Sequence, residues 1–425
     1  MKNIVVTGFG VGDEGKSKVV DYLSLEANTC VRFNGGCNAG HSVYLDNEKY
    51  VFHLVPSGLL SGKVGVITNG VVIDPFKLYK EMQEFTARGI VITPDTLKIS
   101  YACHVTTDIH VAMDAHEEAS RGVNKIGTTK TGNGPTMVDK YARCGLRMID
   151  LIDANRINEF YPDEKYDLLA KKYNITKQYN VFIKELQDIG EVFAPFVCDT
   201  SLYLASAVKR GGVVFEGAQS ALLDIDHSGA YPFVTSGNCI AGYACVSGGF
   251  GPKYLDEVVG VAKAYISRVG AGAFPTQMES DIEGPFREFA GEFGATTGRN
   301  RKLGYFDLPS LRYAVRLNGA TSLAITRMDT LSYFDQVKIC DYYIIDGKKH
   351  YDWPMDYNLL YKAEPHYVTM AGWGDISKIR VKHELPIEAL HYLSLIEESS
   401  ATPIKYIGVG RERMDMIEVP TANKL

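Results

Sequence analysis

The chain has 425 residues, 45% of them hydrophobic and 23% charged, with a formal net charge of −6. That balance fits a globular protein with a large core and excludes nucleic acid as a partner drawn in by a global basic field. The eight cysteines are scattered with no Cys-x-x-Cys pair, which excludes a zinc knuckle or dithiol motif and fits a reducing compartment.

Ile4-Val5-Val6-Thr7 reads as a buried strand, and Lys18-Val19-Val20-Asp21-Tyr22-Leu23 opens a helix. Between them, Gly10-Val11-Gly12-Asp13-Glu14-Gly15-Lys16-Ser17 fits the phosphate-loop pattern G-x-x-x-x-G-K-[ST], a P-loop-like first βα turn. Glycines admit phosphate oxygens to backbone N–H groups, the helix N-terminus adds positive potential, and Lys16 supplies a cation. Asp13 and Glu14 inside an anion cradle are unusual. A divalent cation would offset them, and one carboxylate could serve as a proton acceptor.

Further strands are expected at Thr29–Phe33, Tyr50–Leu54, Gly65–Thr68, Val213–Phe215, Ser322–Thr326 and Ile404–Ile407. Helices are expected at Pro75–Arg88, Asp108–Glu118, Thr200–Lys209, Pro309–Leu317 and Ile387–Glu398, with Tyr166–Phe193 as polar helices lying over the surface. The alternation predicts an α/β fold, a central mostly parallel sheet flanked by helices. With no repeat or linker, residues 1–425 read as one large single domain with helical insertions over about 76–210. No apolar N-terminal signal and no long apolar run occurs, so a membrane is not expected as a partner and the expected location is cytoplasmic, the host cytoplasm for a viral chain.

Glycine-rich polar loops recur at residues 34–42, 127–135, 216–219 and 294–301. Any one of them could be an ordinary surface turn. Together they point to a site where N–H groups, hydroxyls and arginines meet several anionic groups.

The residues Gly12-Asp13-Glu14-Gly15-Lys16 and Gly36-Cys37-Asn38-Ala39-Gly40-His41 resemble the paired signatures of adenylosuccinate synthetase. The resemblance continues through Phe52–Gly58, Ile126–Thr129, Phe215–Gln219, Leu223–His227, Arg268–Gly272 and Gly294–Arg299, in order along the chain. It implies a ligase of small-molecule substrates. A nucleoside triphosphate, GTP or ATP, phosphorylates the 6-oxygen of a purine nucleotide, and the amine of L-aspartate then displaces phosphate. It implies Asp13 as the base that takes the N1 proton, and His41 as the acid beside the transferring phosphoryl group. Lys16 would offset charge on phosphate, and Gln219 would orient the 6-oxygen. Asp13 and the Gly40 carbonyl would bind Mg2+.

The same resemblance puts Asn38, Thr129, Thr235 and Val269 on the acceptor nucleotide. Arg143 would reach in from a second subunit, which implies a homodimer. Thr297, Arg299 and Arg301 match the loop that clamps aspartate, a task suited to the planar arginine fork. Gly12, Glu14, Gly15, Lys16, Ser17, Lys18, Gly40, Ser42, Arg301, Arg327, Asp329, Gly408 and Gly410 fall on the donor-nucleotide side, with Asp329 as a guanine reader.

The chain departs from the family where Gly10-Val11 replaces Gln-Trp, Ser17 and Ser220 replace Gly, Ser42 replaces Thr and Arg327 replaces Lys. Gly10-Val11 and Ser220 fall beside the acceptor base. They lean the expectation toward dGMP, the substrate of a phage and archaeal branch whose products lead to diaminopurine DNA, with Ser220 as a substrate contact. The alternative is a standard enzyme using IMP and GTP. More distant readings are an ordinary phosphate-loop NTPase, a GTP-binding switch or a catalytically inactive relative.

Overall fold

The computed structural model describes residues 1–122, 125–294 and 298–420. Ten strands form the main sheet: β1 (Ile4–Gly8), β2 (Thr29–Arg32), β3 (Val64–Ile67), β4 (Leu97–Ser100), β5 (Val197–Cys198), β6 (Val213–Ser220), β7 (Glu257–Lys263), β8 (Ser322–Thr326), β9 (Ile404–Gly408) and β10 (Met416–Glu418). Their order across the sheet is β10-β9-β8-β7-β1-β6-β2-β3-β4-β5. All neighbours run parallel except β10, which pairs antiparallel with β9. A parallel sheet is covered on both faces, and β1, β2 and β8 are buried at every position but one, with Arg32 the charged exception to their apolar and small polar residues.

Helix starts follow local chemistry. Asp74 caps the helix Pro75–Ala87 by accepting from Lys77 N–H, with proline in its first turn. Asp307 does the same for Leu308–Asn318 through Ser310 N–H, and Asp199 for Thr200–Arg210 through Ser201 and Leu202. The helices expected at Pro75, Asp108, Thr200, Pro309 and Ile387 begin within a residue of those positions, and the one expected from Lys18 begins two residues earlier, at Lys16.

The segment over 166–193 differs from expectation. It forms Asp163–Tyr173 and Tyr179–Phe193, and the second helix buries Phe182, Ile183, Leu186, Ile189 and Phe193. Those side chains join Leu97, Ile99, Val105 and Leu151 in a core beside β4. The polar residues cover one face only, so the helix closes a core as well as meeting solvent.

The second glycine-rich stretch becomes a loop leading into Asn133–Ala142. The loops after β1, β6, β7, β8 and β9 all leave from carboxyl ends of parallel strands, where open α/β sheets bind ligands.

Candidate active site

The first loop links β1 to α1 (Lys16–Ser24). Gly12 and Gly15 have φ of 108° and 84°, conformations that favour glycine. Asp13, a non-glycine residue, also sits at φ 62°. A left-handed aspartate in a tight loop is held there by its surroundings, and such residues concentrate at functional sites.

This loop forms one wall of a cavity of about 880 Å³. Of the predicted residues, Gly12, Asp13, Gly15, Lys16, Ser17, Lys18, Asn38, Gly40, His41 and Ser42 line it. So do Thr129, Gln219, Thr235, Val269, Arg299, Arg301, Arg327 and Gly410. Residues far apart in sequence thus share one concave surface. Glu14, Ser220, Arg143, Asp329 and Gly408 are not on the wall, and Thr297 lies outside the described residues.

The two loop carboxylates have separate partners. Asp13 pairs with Arg301 at 2.8 Å, and Arg301 also bonds Glu292 at 2.6 Å. Lys263 reaches the other oxygen of Glu292 at 2.9 Å, and Tyr265 donates to that same oxygen. Burial raises the Glu292 pKa, but the cations Lys263, Arg301 and Arg327 outweigh it and hold the carboxyl far below its ordinary range. Glu14 turns inward, where Lys16 bonds it at 2.6 Å and Gly12 N–H donates at 2.8 Å.

Ser220 is a correction to the sequence reading. Its hydroxyl donates to Glu14 instead of facing the cavity. Val11 touches the cavity, but it also packs in an apolar cluster with Leu222, Ala230 and Ala273. At Gly10, a Cβ would stand 2.9 Å from a Glu14 oxygen, so this glycine makes room for the carboxylate. The departures that leaned toward dGMP are therefore tied, at least in part, to packing beneath the loop.

His41 is buried between acceptors. Its Nδ1 meets Glu216, and its Nε2 is 3.1 Å from the Ala218 carbonyl. Burial and the Arg32 guanidinium push its pKa down, the Glu216 carboxylate pulls up, and the net direction is down. Glu216 also accepts from Arg32 at 3.1 Å and from Ser57 N–H at 2.9 Å. Gln219 lies between Asn34 and Asn38, each at 3.4 Å. Arg299 donates to the Gly127 and Thr128 carbonyls at 3.4 Å, drawing two predicted loops together.

A family model for adenylosuccinate synthetase matches residues 5–417. The adenylosuccinate synthetase of Myxococcus xanthus is 44% identical over 98% of both chains. That of Brevibacillus brevis is 43% identical over 99% of both. The chain belongs to the adenylosuccinate synthetase family. The fully ligated adenylosuccinate synthetase of Plasmodium falciparum superposes with TM-score 0.93 at 32% identity, covering 99% of this chain and 100% of that one. Succinoaminodeoxyadenylate synthetase of cyanophage S-2L, solved with dGMP and dATP, has TM-score 0.62 at 17% identity, covering 99% and 96%. This second likeness is one of fold alone.

As a member of the adenylosuccinate synthetase family, the chain is an NTP-dependent carbon–nitrogen ligase. Among the described residues, no group of three or more His, Cys, Asp or Glu side chains is gathered to hold a metal. Asp13 and Gly40 both line the cavity, and a carboxylate with a backbone carbonyl would suit Mg2+ that takes its remaining ligands from phosphate and water, although Asp13 is here paired with Arg301. Also among the described residues, no helix is long and apolar enough to cross a membrane.

Sequence reasoning assigned no role to Arg32, Glu216, Lys263 or Glu292. Arg32 and Glu216 did carry a signal, since each is a charged residue in an apolar strand.

Proposed function

We propose that this ligase joins L-aspartate to C6 of IMP, with GTP as phosphoryl donor. Sequence reasoning leaned to dGMP; the relatives at 43–44% identity bear the standard name and favour IMP instead. The placement of Ser220 against Glu14 removes one motive for the dGMP reading.

Asp13 takes the N1 proton of the purine while Gln219 holds the 6-oxygen. That oxygen attacks the γ-phosphoryl group and GDP leaves. His41 hydrogen-bonds the group in transfer, and its imidazolium form would be stabilised by Glu216. The aspartate amine, with its carboxylates against Arg299, then attacks C6 and phosphate departs. Mg2+, held by Asp13 and Gly40, would supply charge neutralisation on the triphosphate.

The observation that carries this reading is the convergence of Asp13, Lys16, His41 and Gln219 on one cavity wall. Donor choice is supported by Asp329, whose buried Oδ1 has no hydrogen-bond partner among the described residues. Guanine offers N1–H and a 2-amino group to such an acceptor, and adenine does not.

The other expectations are kept as proposals. The protein forms a homodimer in which Arg143, absent from the wall of its own cavity, serves the partner's acceptor site. It is cytoplasmic, and residues 1–425 act as one domain. Support for one domain is that strands from Ile4 to Glu418 share a sheet.

Phosphate release with aspartate, Mg2+ and GTP, comparing IMP, GMP and dGMP at equal concentration, tests the acceptor. IMP should give the fastest aspartate-dependent release. A clear preference for dGMP would reverse the acceptor assignment, and no aspartate-dependent release with any of them would end the ligase reading.

A further inference from the structure

Beneath the first loop lies a buried polar knot. Glu14, Lys16 and Ser220 are 2%, 5% and 0% exposed. Ser220 donates to Glu14 Oε1, which also accepts from Gly12 N–H. Lys16 holds Glu14 Oε2 at 2.6 Å and lies 3.5 Å from Ser220 Oγ. Gly8 and Gly10 press against the same carboxylate, so it has little room to turn away.

Lys16 cannot hold Glu14 at this distance and also move fully onto an incoming phosphate. Its departure leaves a buried carboxylate with fewer donors, which is costly. The Ser220 hydroxyl is one of the donors that remain.

We propose that Ser220 is a positioning residue that eases the release of Lys16 from Glu14, and so sets how readily the loop takes a nucleoside triphosphate. The proposal deepens the donor-site reading and rests on it.

Burial alone would raise the Glu14 pKa, while Lys16 and Ser220 pull it down, and the net direction is down. Without Ser220, Glu14 depends more on Lys16.

The test is calorimetric titration of the full-length protein with Mg2+ and a non-hydrolysable GTP analogue. Ser220→Ala should weaken binding about fivefold, the scale of one hydrogen bond to a charged group shared between states. Ser220→Gly should do the same if the alanine variant folds poorly, and Ser220→Thr, which keeps the hydroxyl, should restore affinity. In a Glu14→Gln background the Ser220→Ala loss should disappear.

An unchanged affinity in both Ser220→Ala and Ser220→Gly, or an equal loss in the Glu14→Gln background, would overturn the proposal. Binding is read without turnover. Failure of the ligase reading would show separately, as missing aspartate-dependent phosphate release by the wild-type protein.

Discussion

Glu216→Gln removes one carboxylate from a fully buried site. Glu216 and Arg32 side chains are both 0% exposed and 3.1 Å apart. At an effective dielectric of about 20, attraction at that distance is about 5 kcal/mol before desolvation. A glutamine can still accept from Ser57 through its oxygen, but its NH2 then faces donors on Arg32 and His41. Leaving Arg32 buried without its counter-charge should cost about 3–5 kcal/mol.

The pH dependence gives an independent figure. Burial raises the Glu216 pKa, but His41, Arg32 and Ser57 together lower it from 4.5 to about 2. A depressed carboxyl stabilises the fold above its unfolded pKa, and that stabilisation is lost as pH falls from about 4.5 through about 2. The shift corresponds to about 3 kcal/mol, in the range of the first figure. Urea unfolding followed by circular dichroism should show this loss at neutral pH, with a weaker acid dependence than wild type. Steady-state phosphate release should fall at least about 100-fold, because His41 loses the group that orients it. A variant within about 1 kcal/mol of wild type and with full turnover would refute the assignment of Glu216 as the anchor of Arg32 and His41.

Asp13→Asn should lower turnover about 100-fold or more, with a much smaller loss of donor affinity by calorimetry, since shape is kept while the base and one Mg2+ ligand are weakened. Retained turnover would remove Asp13 from its role. Arg299→Leu should raise the KM for aspartate about tenfold or more and leave both nucleotide KM values nearly unchanged. An effect confined to the nucleotides would place Arg299 elsewhere. Asp329→Asn should reduce the preference for GTP over ATP about tenfold to a hundredfold in competition assays, since the base loses a charged acceptor. An unaltered preference would mean that guanine is read by another group.

The local order of residues determined much of this protein. Asp74-Pro75, Asp199 and Asp307 announce helix starts through caps whose geometry involves only near neighbours. The apolar runs of β1, β2 and β8 mark strands buried on both faces. The glycine spacing of the first loop reports a backbone conformation, and so a site, because few other residues tolerate it. Tertiary structure decided who meets whom. Parallel pairing sets Glu216 beside Arg32, 184 residues away in the chain. The last two residues of β6 point opposite ways, Gln219 into the cavity and Ser220 beneath the loop, so adjacent letters took different work. Side chains alternate in direction along a strand, and their neighbours are fixed by sheet order and register, neither of which is written in any short stretch of sequence.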